Sequence, residues 1–81
     1  MRLDKFLKVS RILKRRSVAN EACGAGKVEV NGKSAKPAAT VKIGDTVALT
    51  LGGHKLIFKI LIISESVKKE DAAGMYQIIE Q

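Results

Sequence analysis

Cys23 and His54 are the chain's only cysteine and histidine, and they stand 31 positions apart. A zinc site takes three or four ligands, so these two cannot supply one, and no metal is expected. A cysteine–histidine nucleophile would need Cys23 in an exposed, electropositive pocket, whereas its place in a helical pattern points it inward as a small core residue. His54 beside Gly52-Gly53 reads as an exposed turn residue. The run Gly24-Ala25-Gly26-Lys27 has a faint look of a phosphate loop, but it lacks the GxxxxGK[ST] spacing and lies between a helix and a strand, the reverse of the required order. It reads as a helix stop. No catalytic residue and no cofactor are expected.

The remaining chemistry is that of cations facing phosphate. Residues 1–36 carry ten Lys or Arg against three acids, while residues 37–81 carry five against five, so the net charge of +7 lies at the front. Arg2, Lys5, Lys8, Arg11, Lys14, Arg15 and Arg16 crowd the first sixteen positions with Asp4 as their one acid. The solvated side of an amphipathic helix would mix acids among them. Such a cluster repels itself unless a polyanion partner is available, which points to nucleic acid. A membrane-surface reading would need Leu3, Phe6 and Leu7 free to enter lipid, and a domain this small needs them in its core. With Phe6, Phe58 and Tyr76 as the only aromatics, stacking on single strands is poorly served. A structured RNA, read through phosphates, 2′-hydroxyls and shape, fits better. A DNA reading also exists, with a second helix entering a major groove, but Asn20 is that helix's one good base-reading side chain.

Eighty-one residues, 46% of them hydrophobic, predict one small domain, residues 1–81, with a folded core. The longest apolar run, Leu56 to Ile63, is interrupted by Lys59 and is too short to cross a membrane. The basic start lacks the long apolar stretch of a signal peptide, so a soluble, cytoplasmic protein is expected.

The elements that must position these cations follow from periodicity. Leu3, Phe6 and Leu7 predict a helix over residues 2–9, and Ser10 a cap for a turn anchored by Ile12 and Leu13. Ser17 reads as the N-cap of a second helix, Val18 to about Ala25, burying Val18, Ala22 and Cys23. Val28 and Val30 then alternate with Lys27 and Glu29, and Asn31-Gly32 predicts a hairpin returning through Lys33 to Ala35. Val41 to Ile43, Thr46 to Leu51, Leu56 to Ile63 and Tyr76 to Ile79 read as further extended segments. Gly44-Asp45 and Gly52-Gly53 are the turns, and Ser64 to Gly74 a polar loop or single helical turn. The expected fold is α+β, two short N-terminal helices packed on a small, mostly antiparallel sheet.

The order Arg2-Leu3-Asp4-Lys5-Phe6-Leu7, Ser10-Arg11, Lys14-Arg15-Arg16-Ser17, Gly26-Lys27-Val28, Val30-Asn31-Gly32-Lys33 and Lys42-Ile43-Gly44-Asp45 resembles a known family. It is similar to the small RNA-binding domain named after the fourth protein of the small ribosomal subunit, an alpha-L type motif, over roughly residues 1–50. Residues 51–81 would add C-terminal strands. Within that family the chain resembles the stand-alone RqcP group of ribosome quality-control factors, relatives of the fifteen-kilodalton heat-shock protein. The likeness runs through Lys68-Lys69-Glu70 and Met75-Tyr76. The longer heat-shock relative carries a C-terminal extension not found in these 81 residues, which favours the RqcP group.

The resemblance implies a non-enzymatic, ribosome-associated monomer that binds ribosomal RNA of the large subunit. There it would hold peptidyl-tRNA in the P site while a partner, RqcH, directs alanine tailing. It implies RNA contacts by Arg2, Lys5, Arg11, Arg15 and Arg16, with Lys14, Asn31, Lys33 and Lys36 beside them. Asp4 fits two readings, an orienting partner for Arg16 or another arginine, or a favourable acid in a first helical turn. An accessory module for a separate RNA-modifying enzyme and a DNA-binding regulator are the alternatives.

Overall fold

A computed structural model describes residues 1–80. Two α-helices, α1 (Leu3–Val9) and α2 (Arg16–Gly24), precede five strands, β1 (Val28–Val30), β2 (Lys33–Ser34), β3 (Thr46–Leu51), β4 (His54–Ile60) and β5 (Tyr76–Glu80). A 3₁₀ helix, Lys69–Met75, leads into β5. The strands form one sheet in the order β2-β1-β3-β4-β5, and every neighbouring pair is antiparallel. The α+β architecture expected from the sequence is therefore the one observed.

The helices cover one face of that sheet because each presents a short apolar stripe. Leu3, Phe6 and Leu7 of α1 are wholly buried, as are Val28, Val47, Phe58 and Ile60 of the strands below. Phe6 stacks on Phe58 with centroids 6.2 Å apart, and Phe58 meets Tyr76 edge-on at 5.6 Å. Each of the two wholly buried phenylalanine rings contributes about 1.5–3 kcal/mol by leaving water, and the half-buried Tyr76 packs against them. The three aromatics are committed to the core, as the sequence implied.

Two glycine-containing turns set the sheet. At the β1–β2 turn Asn31 and Gly32 take φ of 53° and 84°, and at the β3–β4 turn Gly52 and Gly53 take the same two values. Paired positive φ is the hairpin geometry whose twist matches the strands.

Several boundaries depart from the sequence expectation. Helix α2 begins one residue before Ser17, its N-cap is Arg15, and no side chain caps it. The helix's inner stripe is Ala19, Ala22 and Cys23, an i, i+3, i+4 set that leaves Val18 exposed. Ser10 ends α1 instead of capping the next turn, and its hydroxyl donates back to the Leu7 carbonyl at 3.4 Å. Val41 to Ile43 is not a strand; the Val41 N–H donates to the Met1 carbonyl at 2.8 Å, and Ile43 is exposed. β4 stops at Ile60, short of Ile63, because the next two N–H groups, Leu61 and Ile62, turn to the Met75 carbonyl.

Candidate nucleic-acid interface

Arg2, Arg16 and Lys36 are brought toward one another where the segment after the hairpin returns to the chain's start. The Leu3 N–H donates to the Ala39 carbonyl at 2.8 Å and the Asp4 N–H to the Pro37 carbonyl at 3.2 Å. This pairing satisfies amides of the first helical turn and carries Lys36 to the N-terminal end of α1. Helix α2 packs against α1 and brings Arg16 within reach of Asp4.

Asp4 sits at the meeting point, almost wholly buried. Arg2 donates from Nε to Oδ1 at 3.2 Å and from Nη2 to Oδ2 at 3.1 Å, a two-pronged grip. Arg16 Nη2 approaches Oδ1 at 3.5 Å, Asn20 Nδ2 donates to Oδ2 at 3.4 Å, and the Lys5 backbone N–H donates to Oδ1 at 2.8 Å. Burial pushes the carboxyl's pKa up, but hydrogen bonds from Arg2, Asn20 and Arg16 outweigh that and hold it below its ordinary value. Both guanidinium side chains remain half exposed, so each keeps donors facing solvent. The result is a shallow cleft lined by Arg2, Asp4, Arg16, Ser17, Asn20 and Glu21. Beside it, the uncapped start of α2 has no acid in its first turn, which adds the positive end of a helix dipole to Arg15 and Arg16.

A second buried carboxylate fixes the hairpin. Asp45 accepts the Lys42 N–H at 2.9 Å and Asn31 Nδ2 at 3.1 Å, while Asn31 Oδ1 accepts the Thr46 N–H at 3.0 Å. Asn31 thus differs from the cations grouped with it by the family resemblance. Both polar ends of its side chain are engaged within the fold, where they tie the hairpin tip to the Gly44-Asp45 turn. Lys33 and Lys36, carried on that hairpin and the segment after it, are exposed.

Of the remaining residues, Arg11, Lys14 and Arg15 are exposed on the connection between the helices, where Arg11 adopts a left-handed φ of 62°. Lys5 is half-buried and pairs with Glu65, a contact across the fold that sequence reading missed. That ion pair lowers the Glu65 pKa. Lys8 and Arg11 line a small hollow with the Glu65–Val67 segment. Cys23 is buried, and burial raises its thiol pKa, as expected of a core cysteine.

Residues 1–47 match the S4 domain family. The RQC P-site tRNA stabilizing factor of Streptococcus pneumoniae is 52% identical over 81 residues, all of this chain and 92% of that protein. The factor of the same name from Bacillus subtilis is 42% identical, again over this whole chain and 94% of its own length. Among solved structures, the trimeric heat shock protein 15 of Vibrio cholerae superposes with a TM-score of 0.89 at 35% identity, covering 96% of this chain and 80% of that one. Its trimer lends no support to the monomer expected from the sequence. With residues 1–47 matched and relatives 42–52% identical along its whole length, this chain belongs to the S4-domain family, alongside the RQC P-site tRNA stabilizing factors.

Proposed function

We propose that this chain is a non-enzymatic RNA-binding factor of ribosome-associated quality control. It binds ribosomal RNA on large subunits obstructed by peptidyl-tRNA, stabilises tRNA in the P site, and thereby supports RqcH-dependent alanine tailing in the cytoplasm. Relatives of 42–52% identity carrying the tRNA-stabilizing name support the role. The observation that carries it on this chain is the Asp4-centred arginine pair, with Lys36 brought alongside by the pairing of residues 37–41 with residues 1–4. One continuous hydrophobic cluster from Leu3 to Met75 supports treating the chain as a single RNA-binding domain. Arg2, Arg11, Lys14, Arg15, Arg16, Lys33 and Lys36 supply donors to phosphate, Lys5 joins them on release from Glu65, and Asn31 and Asp4 hold the surface in shape.

The test is sedimentation of lysate containing the tagged protein beside an Arg16→Ala variant. The wild type is expected to travel with large subunits bearing peptidyl-tRNA. Losing one charge-assisted contact should reduce that co-migration by about ten-fold or more. Binding should also weaken steeply with salt, by about 0.7–0.9 log units per log unit of salt for each of roughly four to six phosphate contacts. Absence of the wild type from every ribosomal fraction would move the assignment to an accessory module for a separate RNA-modifying enzyme.

A further inference from the structure

The Asp4 cleft is not a simple anion sink. Its lining holds two cations, Arg2 and Arg16, against two acids, Asp4 and Glu21, so it is formally neutral inside a chain of charge +7. Its remaining members are polar and uncharged, Ser17 and Asn20. Asp4 orients the two arginines, but a surface meant only to attract phosphate gains nothing from Glu21, Ser17 and Asn20 beside them. One meant to read a sugar next to a phosphate does, because a ribose presents a hydroxyl donor beside the phosphate's acceptors.

Asn20 is the residue whose chemistry is fixed. Asp4 is buried and its pKa is depressed, so it is a carboxylate that can only accept hydrogen bonds. The amide nitrogen of Asn20 must therefore face it, as the 3.4 Å contact from Nδ2 to Oδ2 records. The amide oxygen is consequently turned away from Asp4 and, among the described residues, receives no side-chain hydrogen bond. Asn20 is exposed on α2, one helical turn after Arg16, so that oxygen and the Arg16 guanidinium share a helix face.

We propose that Asn20 Oδ1 accepts a hydrogen bond from a ribose 2′-hydroxyl while Arg16 and Arg2 hold the adjoining phosphate, so that this cleft distinguishes RNA from DNA. The inference rests on the RNA-binding reading above and assigns the sugar contact within it. The exposed lysines and arginines outside the cleft supply the long-range attraction, which any polyanion would satisfy. Asn20 supplies the discrimination, since only the 2′-hydroxyl offers a donor at that place on the backbone.

The experiment compares binding of an RNA duplex with that of its 2′-fluoro counterpart of identical sequence, which keeps the sugar pucker but cannot donate a hydrogen bond. The wild type is expected to bind the hydroxyl duplex about three- to ten-fold more tightly, the worth of one neutral hydrogen bond. Asn20→Ala should bind both duplexes equally, with an unchanged salt slope and a melting temperature lowered slightly by the loss of its hydrogen bond to Asp4. Arg16→Ala should weaken both. Equal, strongly salt-dependent binding of the two duplexes by the wild type would overturn the role of Asn20 and leave the RNA-binding reading intact, and a preference that survives Asn20→Ala would do the same. Failure of the wild type to bind either duplex would overturn both.

Discussion

A carboxylate buried among two arginines and an asparagine is stable only while it is charged. Replacing Asp4 with Asn leaves Arg2 and Arg16 facing one neutral amide oxygen and an NH2 group in place of two charged oxygens, and removal of such charge-assisted bonds is expected to lower stability by about 1–2 kcal/mol at neutral pH. The lower part of the usual range applies because both guanidiniums are half exposed and screened by solvent. The folded carboxyl lies below the ordinary value of 3.8, so its stabilising contribution is complete above that value. It disappears as pH falls through the depressed folded value. Melting curves of wild type and Asp4→Asn should thus differ at pH 7 and converge in acid; a gap that persists undiminished well below pH 3.8 would show that the carboxylate's charge is not what stabilises the site. Only part of this residue's role was legible beforehand. An acid amid cations invites the thought of a salt bridge, but Arg16 and Asn20 lie 12 and 16 positions away, and their convergence depends on how α2 packs on α1.

Among the elements, those set by local chemistry were legible and those set by packing were not. Thr46–Leu51 was readable to the residue because alternation and flanking glycines agree. Leu56 to Ile63 looked like one buried strand, yet Leu61 and Ile62 are exposed, since apolar residues say nothing about where backbone partners run out. Val18 was misplaced because Val18 and Ala22 make a plausible stripe on paper, whereas the packing of α2 buries the neighbouring set Ala19, Ala22 and Cys23. The β1–β2 hairpin joins both kinds of information. Its Asn-Gly turn is a sequence signal, while the bonds from Asn31 to Asp45 and Thr46 appear only in three dimensions. Asn31→Ala removes the latter and places alanine at a positive φ, so it is expected to cost about 2–3 kcal/mol in a melting experiment. RNA affinity should fall along with stability, because Lys33 and Lys36 lose their fixed positions. Asn31→Gly, which tolerates the backbone angle, should recover roughly 1 kcal/mol of the stability and little of the affinity.

At the scale of the whole molecule, charge decides what is attracted and pairing decides which charges are available. The fold measures 28 × 24 × 22 Å, several times the screening length of about 8 Å at physiological salt. Cations at its N-terminal end therefore act nearly independently of acids on distant surfaces. Glu65 is the exception, since it reaches from the segment after β4 to engage Lys5 on α1. A phosphate approaching Lys5 competes with that carboxylate for the ammonium. Glu65→Gln is expected to tighten RNA binding by about two- to five-fold and to steepen the salt dependence by roughly 0.7–0.9, the signature of one further phosphate contact. Glu70→Gln, on the 3₁₀ helix, changes the net charge by the same amount and serves as the comparison. It should leave both quantities nearly unchanged. If the two variants tighten binding equally, net charge alone governs the affinity and the Lys5–Glu65 pair withholds nothing; if only Glu65→Gln does so, RNA binding is coupled through that pair to the segment leading into the 3₁₀ helix.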